Sequence, residues 1–243
     1  MICSILRARV PRALSVLAAV TLLLSVAAPG LARGKAGPSP WPDVAIGAVD
    51  PDVLGLALEA VECASRAGSV SAPRTLTVID FSRPSTEKRL WVYDLNARRL
   101  LYEELVSHGQ GSGGDLATRF SNEPESHQSS LGLFVTAETY VGRNGYSLRL
   151  DGLEPGVNDR ARERAIVMHG APYVSDDAIR SLGRLGRSWG CPAVRPEITR
   201  ELLDGVREGS LLFAYYPDED WLRTSRYLGA CAAASAPGPV TRP

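Results

Sequence analysis

The chain has 243 residues, with 27 basic and 27 acidic side chains cancelling to a net charge of zero and hydrophobic residues making up 44%. A chain without excess positive charge gives no electrostatic basis for binding nucleic acid, and its apolar share suffices for one sizeable packed domain. Only three histidines and four cysteines occur, so the few that fall at structured positions carry the chemical argument.

The first 32 residues differ from the rest. Arg7, Arg9 and Arg12 precede an apolar run from Ala13 to Ala28, and Gly30-Leu31-Ala32 supplies the small residues of a cleavage site, the pattern of a secretory signal peptide. The run falls short of the roughly 20 residues of a membrane-spanning helix, although an uncleaved anchor is the alternative. Cleavage removes three of the 27 bases and no acid, leaving 24 against 27 and a net charge of −3. Export to the periplasm is expected, with no stable membrane insertion afterwards.

Residues 33–49, rich in Gly, Pro and Ala, read as a flexible linker, 50–230 as a single domain and 231–243 as a loose tail. Asp50 as N-cap and Pro51 in the first turn open a helix that runs to Gly68, with Leu54, Leu58 and Val61 on one face and Cys63 opposite it. Extended runs follow at 76–81, 89–95 and 100–106 and suggest an antiparallel meander, Trp91, Tyr93 and Leu95 alternating with their neighbours. A long Gly/Ser-rich loop, 107–130, contains His108, Asn122 and His127, and loops of this kind inside compact domains often carry function. Further strands are expected at 131–136, 146–150, 165–168 and 211–216. Short helices are expected after Ser175 and from Pro196 to Gly209. Many short strands with few helices predict a mainly β protein, a sandwich or barrel with helical additions.

The chemistry centres on His169, at the end of the apolar run 165–168, and Cys191, 22 residues later in the glycine-flanked turn Ser188-Trp189-Gly190-Cys191. A thiol attacks as thiolate, so an imidazole that takes its proton is the usual activating partner. Gly190 gives the turn its tightness and space beside the sulfur, where nearby amides face a developing oxyanion. A buried, inert thiol is the plainer alternative. Cys3 leaves with the signal peptide, so a nucleophilic Cys191 makes Cys63 and Cys231 the natural disulfide, three separate thiols being the other possibility. No HxxxH or CxxC pair is present, and neither metal nor other cofactor is expected.

Met168-His169-Gly170 followed by Ser188-Trp189-Gly190-Cys191-Pro192-Ala193 resembles the catalytic signature of the L,D-transpeptidase (YkuD-like) family, and Ser129-Ser130-Leu131-Gly132-Leu133-Phe134 resembles its upstream strand. The resemblance covers 76–216 and is to the exported murein subgroup. It implies an L,D-transpeptidase-like β-sandwich with an N-terminal helix and short helices flanking the cysteine. It further implies Cys191 as nucleophile, His169 as base, the Gly170 carbonyl as orienter of the imidazole and Ser188 as the residue that shapes the turn. Trp189 replaces the family's second His and is either an apolar wall over the thiol or a core side chain. The family's Arg is displaced to Arg195, a candidate carboxylate binder. Tyr173, Asn122, Tyr140, Asn144 and His108 are candidate cleft residues, His108 being alternatively structural, with the 107–130 loop as a lid; Asn158 and Arg164 flank the His169 strand as braces or turn caps. The implied activity is acyl transfer on peptidoglycan stem peptides by a monomer, forming 3–3 cross-links through a Cys thioester. L,D-carboxypeptidase activity, another cell-wall cysteine hydrolase or sortase-like enzyme, and a non-catalytic peptidoglycan-binding module are the alternatives.

Overall fold

The computed structural model describes residues 46–229 and Cys231. The expected signal segment, residues 33–45 of the linker and the tail from Ala232 lie outside the described residues. The fold is mainly β: one eight-stranded mixed sheet in the order β3-β2-β1-β8-β4-β5-β6-β7. Its strands are β1 (Thr75–Asp80), β2 (Leu90–Asp94), β3 (Arg99–Glu104), β4 (Gly132–Gly142), β5 (Gly145–Gly152), β6 (Val167–Gly170), β7 (Ala193–Val194) and β8 (Leu211–Tyr215). The meander β1-β2-β3 is antiparallel as its alternating runs suggest, whereas β8 returns parallel to β1 and β7 parallel to β6.

The two ends of the sheet approach each other. Just past β3, the Ser107 amide donates to the Ala193 carbonyl of β7 at 2.9 Å, and Arg195 grips Glu104 with two hydrogen bonds of 2.9 and 2.7 Å. The sheet therefore curls into a nearly closed barrel, and the seam lies beside Cys191. β3 and β7 remain the edge strands, and these contacts cover part of the backbone that the seam would otherwise leave unpaired.

Helix α1 (Pro51–Arg66) starts where the Asp50 side chain accepts the Asp52 amide at 2.8 Å. It packs on β1 and β8. Its buried face comprises Val53, Leu54, Ala57, Ala60, Cys63 and Ala64, which corrects the expected stripe: Leu58 and Val61 are only partly buried and Cys63 points inward. Alanines let the helix axis approach the sheet closely, so the small residues take the contact and the leucines flank it. Cys63 is thereby delivered to Cys231, and the two form a disulfide with Cα atoms 5.7 Å apart across 168 residues. Cross-linking so long a loop restricts the unfolded chain, and removing such a bond costs roughly 2–5 kcal/mol. Cys63→Ser is accordingly expected to lower the denaturant midpoint by that equivalent with little change in activity; an unchanged midpoint would show that the bond adds nothing to stability.

Residues 46–49 also depart from the linker reading. Ile46 and Val49 are buried, the Tyr93 hydroxyl donates to the Ile46 carbonyl at 2.7 Å, and Gly47 sits against Leu100 and Trp91. This cover explains why β2 is buried on both faces instead of alternating. Helix α2 (Asp176–Leu182) is capped by Ser175, and α3 (Pro196–Val206) begins on its proline and packs on β6. A further short helix, α4 (Glu219–Thr224), is capped by Asp218, whose side chain accepts the Trp221 amide at 2.8 Å. Leu105, Ala171, Val174, Leu185 and Ala193 form a separate small core that anchors the segment after β6 to the sheet.

Candidate active site

His169 and Cys191 reach the site from neighbouring chain segments. His169 is the third residue of β6, paired with Ser147 of β5 on one side and with Ala193 of β7 on the other. Cys191 stands two residues before Ala193. The backbone pairing of β6 with β7 thus fixes the separation between base and thiol, and both side chains line one cavity of about 700 Å³.

The imidazole is oriented by its own strand end. His169 Nδ1 lies 2.9 Å from the Gly170 carbonyl oxygen. A carbonyl only accepts, so Nδ1 carries the proton and Nε2 keeps its lone pair for a base's work. Gly170 fits this place because a Cβ there would lie 2.3 Å from Thr199 Oγ1. The thiol in this conformation turns toward the backbone of 165–167: Sγ accepts the Val167 amide at 3.4 Å and donates to the Ala165 carbonyl at 3.7 Å. In this conformation the sulfur's hydrogen bonds go to that backbone and not to the imidazole, and catalytic contacts commonly tighten only when substrate binds.

The turn under the thiol is built by hydroxyls. Ser188 Oγ donates to the Cys191 carbonyl at 2.6 Å and accepts the Gly190 amide at 3.1 Å. Behind it, the Ser188 amide donates to the His108 carbonyl at 3.0 Å and the Ser188 carbonyl accepts the Gln110 amide at 2.8 Å. Ser129 Oγ donates to the Gly190 carbonyl at 2.9 Å and accepts the Gly109 amide at 3.0 Å. Arg164 ties the same loop down, donating to the Ser121 and Gln128 carbonyls at 2.7 Å each and to the hydroxyls of Ser130 and Ser126. The 107–130 loop therefore backs the Cys191 turn, and none of its residues lines the cavity. Its glycines and serines serve tight backbone contact and hydrogen bonding, which corrects its reading as a lid.

Four candidate substrate-binding residues fall elsewhere. His108 is buried, with Nδ1 accepting from Arg89 at 2.7 Å; burial and that guanidinium push its pKa down to about 4. Asn122 is held by Asp159 and the Arg160 amide at 2.7 and 3.1 Å. Arg195 is claimed by Glu104 at the barrel seam. Gly190 is buried, and the space a Cβ would take is filled by the Gln128 carbonyl and Ile166, each 2.8 Å away; its φ of +124° suits the turn. Asn158 does not touch the His169 strand: it donates to the Leu131 and Leu133 carbonyls at the start of β4 and accepts the Glu154 amide, so it caps the 154–158 turn instead of bracing β6.

Tyr173, Tyr140, Asn144, Ser188, Gly170 and Trp189 do line the cavity. Trp189 is 64% exposed and stacks on His127, ring centroids 5.0 Å apart, so it is a cavity wall and not a core side chain. Tyr173 is pushed up to about 12 by burial and the neighbouring thiol, and stays a neutral phenol. Arg143, Arg164 and Arg187 complete the walls. The contributions of Ser129 and Arg187 were missed from the sequence, where a serine and an arginine in loops carry no distinguishing signal.

Burial holds the Cys191 thiol above its ordinary pKa, against the Val167 amide and the Arg164 charge that pull it down. Burial also lowers the His169 imidazole, against its bond to Gly170. Near pH 7 both groups rest neutral, a thiol beside an imidazole and not an ion pair. Activity is lost when the imidazole gains a proton, so the acid limb of the pH profile falls below the ordinary histidine value. It is lost again when the thiol proton is gone, placing the alkaline limb above the ordinary thiol value. Iodoacetamide alkylation of the free protein should climb with pH through that raised thiol pKa; fast alkylation near pH 5 would instead reveal a preformed thiolate.

Among the described residues no group of three or more His, Cys, Asp or Glu is placed to hold a metal ion, and no helix is long and apolar enough to cross a membrane. The family model for the L,D-transpeptidase catalytic domain matches residues 46–215. Similar solved structures include an L,D-transpeptidase from Mycobacterium smegmatis, at 15% identity over 59% of each chain with a TM-score of 0.37. L,D-transpeptidase 3 from Mycobacterium tuberculosis, in complex with a faropenem-derived adduct, is 14% identical over 59% of this chain and 61% of that one, TM-score 0.38. An Enterococcus faecium L,D-transpeptidase variant is 14% identical over 58% of this chain and 50% of that one, TM-score 0.35. The chain spans about three fifths of the length of the mycobacterial structures it matches. A search of the curated proteins finds no match.

Proposed function

The chain belongs to the L,D-transpeptidase catalytic domain family, and from that premise we propose that it is an exported cysteine acyltransferase that joins peptidoglycan stem peptides by 3–3 cross-links. The observation that carries this reading is the Nδ1 bond of His169 to Gly170, which leaves Nε2 as a base in the cavity that holds Cys191.

In acylation, His169 Nε2 takes the thiol proton as Cys191 Sγ attacks the carbonyl of the third stem residue. The negative oxygen of the tetrahedral intermediate faces the Cys191 amide, a donor placed by the Ser188 turn. Collapse breaks the peptide bond, and the imidazolium returns its proton to the departing D-Ala amine, leaving a thioester and a neutral imidazole. A side-chain amine of a second stem then attacks the thioester, loses its proton to His169, and the thiol is restored. Water in place of that amine makes the same site an L,D-carboxypeptidase.

Export is part of the reading. The arginine-flanked apolar run at residues 7–28 supports it, and so does the Cys63–Cys231 disulfide, a bond of oxidising compartments. The chain then acts in the periplasm on stem peptides, without a metal or other cofactor. Incubation of residues 33–243 with purified tetrapeptide-stem muropeptides, followed by mass spectrometry, tests the reading. Loss of D-Ala with dimer formation is the expected result. Loss of D-Ala without dimers indicates the carboxypeptidase, and unchanged muropeptides would leave a binding module.

A further inference from the structure

We propose, resting on the acyl-transfer reading above, that Arg187 is the receptor for the free C-terminal carboxylate of the donor peptide, so that the site selects donors ending in an unmodified acid. The cavity around Cys191 is lined by three arginines, Arg143, Arg164 and Arg187, and by no aspartate or glutamate. The chain as a whole is neutral, so this positive charge is a property of the cavity and not of the protein. A concave site with walls of one sign concentrates ligands of the opposite sign.

The three arginines are not equivalent. Arg164 spends both terminal nitrogens on the Ser121 and Gln128 carbonyls and the Ser130 and Ser126 hydroxyls, and is a structural clamp. Arg143 stands exposed at the tip of the β4–β5 hairpin. Arg187 lies between these extremes. Its Nη1 donates to the Gly113 carbonyl at 2.6 Å and, more weakly, to the Gln110 carbonyl at 3.5 Å. No carboxylate pairs with it among the described residues. One end of the guanidinium is thus fixed on a rigid loop while Nε and Nη2 keep their donors, the fork that matches a carboxylate in two parallel hydrogen bonds. Fixing the side chain in advance reduces the ordering cost of binding.

Position agrees with this role. The departing unit is a single residue, and one residue spans at most about 3.6 Å. The carboxylate of that residue must therefore lie in the same cavity as the attacked carbonyl, near Cys191. Arg187 is four residues before Cys191 and lines that cavity.

The test uses the mature protein carrying Cys191→Ala, which binds without turnover, and calorimetric titration with the stem tetrapeptide as free acid and as C-terminal carboxamide. A charge-assisted pair predicts that the acid binds roughly 10- to 100-fold more tightly than the amide. Adding Arg187→Gln should remove that advantage by weakening the acid far more than the amide, whose retained binding also reports an intact site. Arg143→Gln should change the acid's affinity by less than about threefold, as for a screened exposed charge. Equal binding of acid and amide to the protein with Arg187 intact would overturn the proposal without relying on any substitution there; so would an acid preference that disappears with Arg143→Gln. Turnover of muropeptides by the unsubstituted protein separates the two levels. Turnover without acid preference defeats the Arg187 assignment alone, acid preference without turnover defeats the acyl-transfer reading alone, and absence of both defeats both.

Discussion

His169→Ala is expected to slow acylation by a donor stem peptide by about 10²- to 10⁴-fold, the usual worth of a positioned general base, while Cys191→Ala should abolish the covalent intermediate altogether. The asymmetry follows from the resting state. With thiol and imidazole both neutral, the protein without His169 still contains a small population of thiolate that grows with pH. The His169→Ala variant should therefore recover part of its rate in alkaline solution, whereas Cys191→Ala should not respond to pH at all. Stopped-flow or quenched measurements of thioester formation across pH check both statements. A His169→Ala variant with the wild-type rate near pH 7 would mean that another group removes the proton. Among the described residues the sulfur's own partners, the Val167 amide and the Ala165 carbonyl, are not bases.

Gly190→Ala is the second substitution with a large expected effect, and it works through geometry. The glycine adopts φ of +124°, and an added Cβ would meet both the Gln128 carbonyl oxygen and Ile166 Cδ1 at 2.8 Å. A side chain in that backbone region costs of order 1–3 kcal/mol, and the neighbouring carbonyl belongs to a loop pinned by Arg164 and Ser129, so the turn must yield. Cys191 is the next residue. A displacement of about 1 Å at the reacting atom costs on the order of 100-fold in rate. Activity should therefore fall by that factor while the thermal midpoint drops only a few degrees. Loss of stability large enough to account for the lost activity would place Gly190 among the residues that hold the fold together and nothing more.

Local signals foresaw much of the architecture. Asp50-Pro51, Ser175 and Pro196 mark helix starts by the chemistry of the first turn; Asp50 and Ser175 cap α1 and α2, and Pro196 opens α3 without a side-chain cap. The antiparallel pairing of β2 with β3 follows from the short turn at 95–98 between two extended runs. What escaped depends on distant partners. β7 has two residues and no period to read, and its place is set by pairing with β6. Arg195 looked like a free cation because Glu104 lies 91 residues earlier in sequence. Asn122 and His108 looked like cleft residues because the groups that bind them, Asp159 and Arg89, are also remote. Cys63 was assigned to the wrong side of α1 because leucines outrank alanines on hydrophobicity alone, while close helix-sheet packing favours the small residues. The pair at the centre, His169 and Cys191, was legible because a strand end and a glycine turn place a base and a thiol in a recognisable order. The hydroxyl scaffold beneath it, Ser188 excepted, was not.

The most direct measurement is the intact mass of the mature protein quenched during turnover of a tetrapeptide-stem donor in the absence of acceptor. An adduct equal to the stem peptide minus its terminal D-Ala, mapped by proteolysis to Cys191 and absent from Cys191→Ala, is the predicted result. A protein that releases D-Ala without ever carrying that adduct, or carries it on another residue, would contradict acyl transfer through Cys191.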